Sequence, residues 1–171
     1  MVQPLKIAFG CQARVGKSSS VKYLIDKYGG IEFSFSEPLY YILNFTQEFL
    51  NLKQQKDREF LQFVGTWGQK QDPDLWVNLV LKNIRANPGR NIFVSDVRFP
   101  NELEALRKEG FLCVRIIRDC QKNDPTFGSG DRSHPSENSL TENLSVWDKV
   151  IYNNGSWEEF TSKLEGLIKL G

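Results

Sequence analysis

Gly16-Lys17-Ser18-Ser19, set between a short apolar run and an amphipathic one, is the segment best equipped for chemistry. A glycine-rich turn that leaves a strand and opens a helix lets backbone N–H groups and the positive helix end cradle phosphate oxygens. Its lysine reaches the outer phosphates, and the hydroxyl that follows can hold Mg²⁺. Lys17 and Ser18 fill those places, Ser19 stands beside them, and Ala13, Arg14, Val15 and Gly16 make the turn. Arg14 either reaches phosphate or stays a solvated loop cation. The full motif has glycine at position 11; here that residue is Cys11, and Gly10 comes one place early.

A second segment, Ser95-Asp-Val-Arg-Phe-Pro-Asn-Glu102, puts an acid and an arginine at the end of another apolar run. Asp96 can organise Mg²⁺ directly or through water. The Arg98 guanidinium is a fork that matches phosphate oxygens. Together the two segments imply nucleotide phosphates as ligands.

Both must be positioned by a sheet. Strands are expected at Lys6–Gly10, Ile31–Phe35, Ile92 to Asp96, Leu112–Ile117 and Lys149–Tyr152. Val21, Leu24, Ile25 and Tyr28 recur at helical spacing after Lys17, and Gly29-Gly30 stops that helix. Further helices are expected over about 38–50 and 55–64. Another starts at Asp72-Pro73, with Trp76, Val80 and Ile84 inward. A short one has Asn101 and Glu104 as its capping pair, and the last is capped by Ser156 and Glu159, with Trp157, Phe160, Leu164, Leu167 and Ile168 inward. Alternating strands and helices predict an α/β fold with a mainly parallel sheet, and ligands of such sheets sit at the carboxyl ends of the strands. The polar run 119–136 reads as a lid.

At 171 residues the chain fits one domain. Hydrophobic residues at 40% and charged residues at 25% describe a globular protein. No apolar run approaches the roughly 20 residues that span a bilayer, and the N-terminus lacks a signal-peptide layout, so a cytoplasmic site is expected, the host's if the protein is viral. A net charge of +1 disfavours a sequence-independent nucleic-acid binder. Cys11, Cys113 and Cys120 have no metal-ligand spacing and read as reduced thiols.

The chain resembles the phage-type deoxynucleoside monophosphate kinases, a branch of the P-loop nucleoside monophosphate kinases. The likeness rests on the loop at 10–19, on Arg58 to Trp67 running on to Asp72-Pro-Asp-Leu-Trp76, on Asp-Val-Arg-Phe-Pro-Asn-Glu at 96–102, and on Ser133-His-Pro-Ser-Glu-Asn138; Phe35-Ser-Glu-Pro-Leu39 is a weaker fifth. It departs from the family at Cys11, at Ser18, where the family often has Asp, and at Gln69 and Lys70, where an arginine is frequent.

The resemblance implies a three-layer P-loop sandwich with strand order 2-3-1-4-5 and a helical acceptor-binding insertion over about 37–87. It implies Mg²⁺-assisted transfer of the ATP γ-phosphate to a deoxynucleoside monophosphate, and it is compatible with a homodimer. It makes Arg58 and Gln62, four apart on one helix face, contacts to the acceptor, with Gly65, Thr66, Trp67 and Lys70 around the same pocket. Trp76 packs in the core or forms the pocket wall. Glu37 sits near the acceptor or caps a helix. Arg98 clamps phosphate, and Arg132 is the arginine of the lid. His134 and Glu137 contact substrate or support the site. Asn154, in Asn153-Asn154-Gly155, holds the adenine or merely turns the chain. Two alternatives stay open: a P-loop kinase with another acceptor (a ribonucleotide, dephospho-coenzyme A or a small alcohol), and a nucleotide-binding regulator without catalysis.

Overall fold

Ile7, Ala8, Phe9 and Gly10 are all buried, which only a strand covered on both faces and both edges can be. In the computed structural model, which describes residues 3–10, 14–119, 140 and 144–168, this run is β1 (Lys6–Gly10), the centre of a five-stranded sheet. The other strands are β2 (Ile31–Phe33), β3 (Ile92–Val97), β4 (Leu112–Ile117) and β5 (Lys149–Tyr152). Their order is β2-β3-β1-β4-β5, and every pairing is parallel. The expected fold and strand order are what the chain adopts.

Alternation along β1 splits the core in two. Ile7 and Phe9 face Val21 and Leu24 of α1 (Lys17–Tyr28) and Phe160, Leu164 and Leu167 of α6 (Trp157–Ile168). Ala8 faces the opposite layer, built from Val77, Val80, Leu81 and Ile84 of α4 (Leu75–Arg85) and Leu103 and Leu106 of α5 (Pro100–Lys108). The remaining helices, α2 (Glu37–Phe49) and α3 (Arg58–Gln71), lie between β2 and α4 in the chain. Among the described residues no helix is long and apolar enough to cross a membrane.

One irregularity matters for the site. Ala8 pairs with Val94, but Gly10 pairs with Val97, so β3 carries one extra residue there. Such a bulge re-aims side chains, and here it falls on Ser95 and Asp96.

Five expectations need correction. Strand β2 stops at Phe33 rather than Phe35. Helix α3 runs to Gln71 rather than ending near residue 64. Helix α4 starts at Leu75; Asp72 lies ahead of it, and its Oδ1 accepts from the Asp74 N–H at 2.9 Å. Pro100 begins α5 one residue before Asn101, since a proline ring presets the first helical φ. The acid of the first turn is therefore Glu102, which reaches back to the Phe99 N–H at 3.0 Å; Glu104 instead pairs with Lys108. Trp157 is 47% exposed rather than inward, standing edge-on to the Tyr23 ring at 5.9 Å.

Candidate active site

The loop between β1 and α1 is shaped by its backbone. Val15 is 1% exposed and anchors the loop in the core. Gly16 has φ 108°, a left-handed conformation that L side chains rarely adopt. A Cβ there would also lie 2.8 Å from Nδ2 of Asn153. That same Nδ2 donates to the Val15 carbonyl at 2.9 Å, so the turn after β5 braces the loop from behind. The Gly16 carbonyl accepts from both the N–H and the hydroxyl of Ser20, at 2.9 and 2.8 Å. No acid stands in the first turn of α1 and no side chain caps it. The N–H groups of a helix start, with a lysine at its first position, carry the partial positive charge that favours an anion. Ser18 and Ser19 are exposed beside them. Cys11 and Ala13 lie outside the described residues, as do Arg132, His134 and Glu137 and most of the run expected to form a lid.

Asp96 is 9% exposed, and its carboxylate is committed. Oδ1 accepts from the Phe35 N–H at 2.8 Å; Oδ2 accepts from the Ser34 hydroxyl at 2.6 Å and the Ser36 N–H at 3.0 Å. It therefore ties the end of β3 to the turn that launches α2. Three of its roughly four lone-pair sites are used, which leaves little for a cation. Mg²⁺ keeps several waters and takes only one or two protein oxygens when substrate phosphates supply the rest. The exposed Ser18 hydroxyl next to Lys17 fits that demand.

Between that turn, α3 and the end of β3 lies a cleft of about 200 Å³. Lys56, Arg58 and Arg98 give it cations, Gln62, Thr66 and Gln69 give it amides and a hydroxyl, and Phe35, Leu39, Tyr40, Leu61, Trp76 and Phe99 give it apolar walls. Its wall depends on a close crossing. The Trp76 indole N–H donates to the Gly65 carbonyl at 3.0 Å, and a Cβ on Gly68 would come within 2.2 Å of the same ring. Trp76, 7% exposed, is thus both core and wall.

The cleft brings together Arg58, Gln62, Gly65, Thr66, Trp76, Asp96 and Arg98. Three expected neighbours stand outside its lining. Glu37 is exposed at the first position of α2, Trp67 is 52% exposed, and Lys70 is exposed near the end of α3. Asn154 clasps Asp119: its Oδ1 accepts from the Asp119 N–H at 3.0 Å and its Nδ2 donates to the carboxylate. Sequence reasoning missed Tyr40, Lys56 and Glu102 as cleft residues and Asn153 as the brace. Lys56 had a signal, a cation two residues ahead of Arg58; Glu102 had the third position of α5.

Glu102 lies deep in the wall, and its Oε2 accepts from the N–H groups of Arg98 and Phe99. Burial, with repulsion from Asp96, pushes its pKa up to about 8 against the pull of those N–H groups and the Arg98 guanidinium. Burial pushes the Cys113 thiol up to about 12, which leaves it an inert packing residue.

No protein-family model matches the chain. A protein of Acanthamoeba polyphaga mimivirus, assigned by inference as a deoxynucleotide monophosphate kinase, is 30% identical over 179 residues, 87% of this chain and 88% of its own length. An uncharacterised protein of Ictalurid herpesvirus 1 (strain Auburn) is 33% identical over 142 residues, 80% of this chain; the match spans 59% of that longer protein. Two solved structures share the fold at 16% identity. One is a dephospho-CoA kinase from Campylobacter jejuni, with TM-score 0.50 over 95% of this chain and 94% of that one. The other is a tunicamycin resistance protein from Deinococcus radiodurans, with TM-score 0.52 over 97% and 95%.

Proposed function

The chain belongs to the deoxynucleotide monophosphate kinase family, and from that premise we propose that it transfers the γ-phosphate of ATP to a deoxynucleoside monophosphate held in the cleft. One observation carries the reading. The phosphate loop and the cleft open from adjacent strand ends, Gly10 being paired with Val97, which supports a donor on one facing an acceptor in the other.

The triphosphate would lie on the start of α1, with Lys17 on its outer phosphates and Arg14 at the rim. Ser18 would hold Mg²⁺, which supplies neutralisation of the phosphate oxygens. The acceptor's phosphate would rest against Arg98 and Arg58, with Lys56 adding charge, and its base would lie between the aromatic walls within reach of Gln62. A phosphate oxygen of the acceptor attacks the γ-phosphorus, the bond to the β–γ bridging oxygen breaks, and ADP leaves. The attacking oxygen is already anionic, so no general base is needed. Catalysis is then alignment and charge neutralisation in a closed space.

The test is ADP release from ATP and Mg²⁺ in the presence of each of the four deoxynucleoside monophosphates and their ribose counterparts. Turnover on the deoxynucleotides should fall by about 10³-fold or more in Lys17→Ala, with the fold intact by circular dichroism. A folded Lys17→Ala that keeps its rate would sink the loop's role, and turnover confined to other acceptors would sink the substrate class.

A further inference from the structure

Glu102 is an acid on the wall of a cleft supplied with three cations for anion binding. It is 5% exposed, and both of the hydrogen bonds it makes among the described residues, from Arg98 N–H at 2.7 Å and Phe99 N–H at 3.0 Å, end on the same oxygen, Oε2. A carboxyl group has about four lone-pair positions. Oε1 is therefore the polar atom that Glu102 has left to offer the cleft it lines.

The groups around it decide what state it holds. Asp96 near the end of β3 opposes a charge, and Arg98, just past that strand, favours one. Tyr40 of α2, Lys56 ahead of α3 and Arg58 in α3 line the same cleft. From α4 comes the uncharged Trp76, while Asp74 at that helix's start is engaged by Asn101 Nδ2 at 2.9 Å. Burial outweighs the favourable contacts. A charged Glu102 would also set anion against anion as a phosphate arrived, whereas a neutral one has an O–H to give.

Resting on the kinase reading above, we propose that Glu102 works uncharged: Oε2 fixes the backbone that carries Arg98, and Oε1 bears a proton that it donates in a hydrogen bond to the acceptor's phosphate. The acid is then a proton-bearing binding group, and its ionisation expels the acceptor. Asp96, the other cleft acid, is satisfied by three donors from the neighbouring turn.

The experiment measures KM for deoxynucleoside monophosphate and for ATP between about pH 6.5 and pH 9.5 in wild type, Glu102→Gln and Glu102→Ala. Glutamine keeps a neutral donor and an acceptor oxygen. In wild type the acceptor KM should climb above about pH 8, approaching tenfold per unit, while the ATP KM stays level. Glu102→Gln should bind the acceptor better at pH 7 than Glu102→Ala and lose the climb. Glu102→Ala, which has no donor, should raise the acceptor KM about tenfold or more at pH 7.

A second readout needs no turnover: infrared difference spectra across the same pH range should show a protonated carboxylic acid ionising in wild type and not in Glu102→Gln. The proposal is overturned if that band is missing, if Glu102→Gln keeps the wild-type pH profile, or if it loses acceptor binding as fully as Glu102→Ala. A band present without turnover on any deoxynucleotide overturns the donation to phosphate together with the kinase reading, and the band tells that failure apart from an error about the proton.

Discussion

The two halves of the proposed site, one for the donor and one for the acceptor, are built by opposite means. On the donor side the loop is dictated by backbone: a left-handed glycine, a valine sunk in the core, and an asparagine that both blocks and braces the turn. The helix behind it buries Val21 and Leu24 completely against the sheet. On the acceptor side side chains do the holding, and their support is thin. Helix α2 buries only Leu43 and Gln47, and α3 only Val64 and Gly68. Tyr41, Phe45 and Phe49, four apart along α2, are 74%, 60% and 75% exposed. A loop fixed to the core suits a donor common to many reactions; helices with little buried surface can shift around an acceptor and close on it.

Three substitutions probe that contrast. Asp96→Ala should have the largest effect. It removes an acceptor for three donors at once, so unfolding in urea should show a loss of about 3 kcal/mol, with acceptor KM raised at least tenfold and ATP KM nearly unchanged. Equal damage to both constants would mean that the halves are mechanically one. Gly68→Ala comes next, because its methyl would meet the Trp76 ring. We expect a loss of about 1–3 kcal/mol and a several-fold rise in acceptor KM. An unchanged melting curve would show that α3 and α4 can separate freely. Asn153→Ala should be the mildest, at about 1 kcal/mol, and should act in the opposite direction: ATP KM up severalfold, acceptor KM level. If acceptor binding suffers instead, the brace does not belong to the donor half.

Much of the donor half was legible in advance, because apolar runs bounded by Gly10, Gly29-Gly30 and Gly110 mark strands and helix ends without help from packing. The strand order followed from the family resemblance. The acceptor half was harder for a physical reason. The helix expected to end near residue 64 runs on through Gly65 and Gly68, and Gly68 makes room there for an indole. Helix phase decided the rest. Thr66 lines the cleft and Trp67, about 100° further round, does not. Glu102 could not be read as a wall residue, because its burial depends on how α5 packs against the sheet rather than on its neighbours in sequence.

The placing of β1 also has a consequence for how the protein is made. The strand comes first of the five in sequence, yet its partners are β3, beginning at Ile92, and β4, beginning at Leu112. A ribosome must therefore make the whole stretch from Ile7 to Ile92 before Ile7, Ala8 and Phe9 find either neighbour. Until then they form an apolar strand with two bare edges, the kind of segment that templates aggregation. The innermost strand of the finished sheet is the one exposed longest on the way to it, and a truncated product ending before β3 should be a client for holding chaperones rather than a soluble fragment.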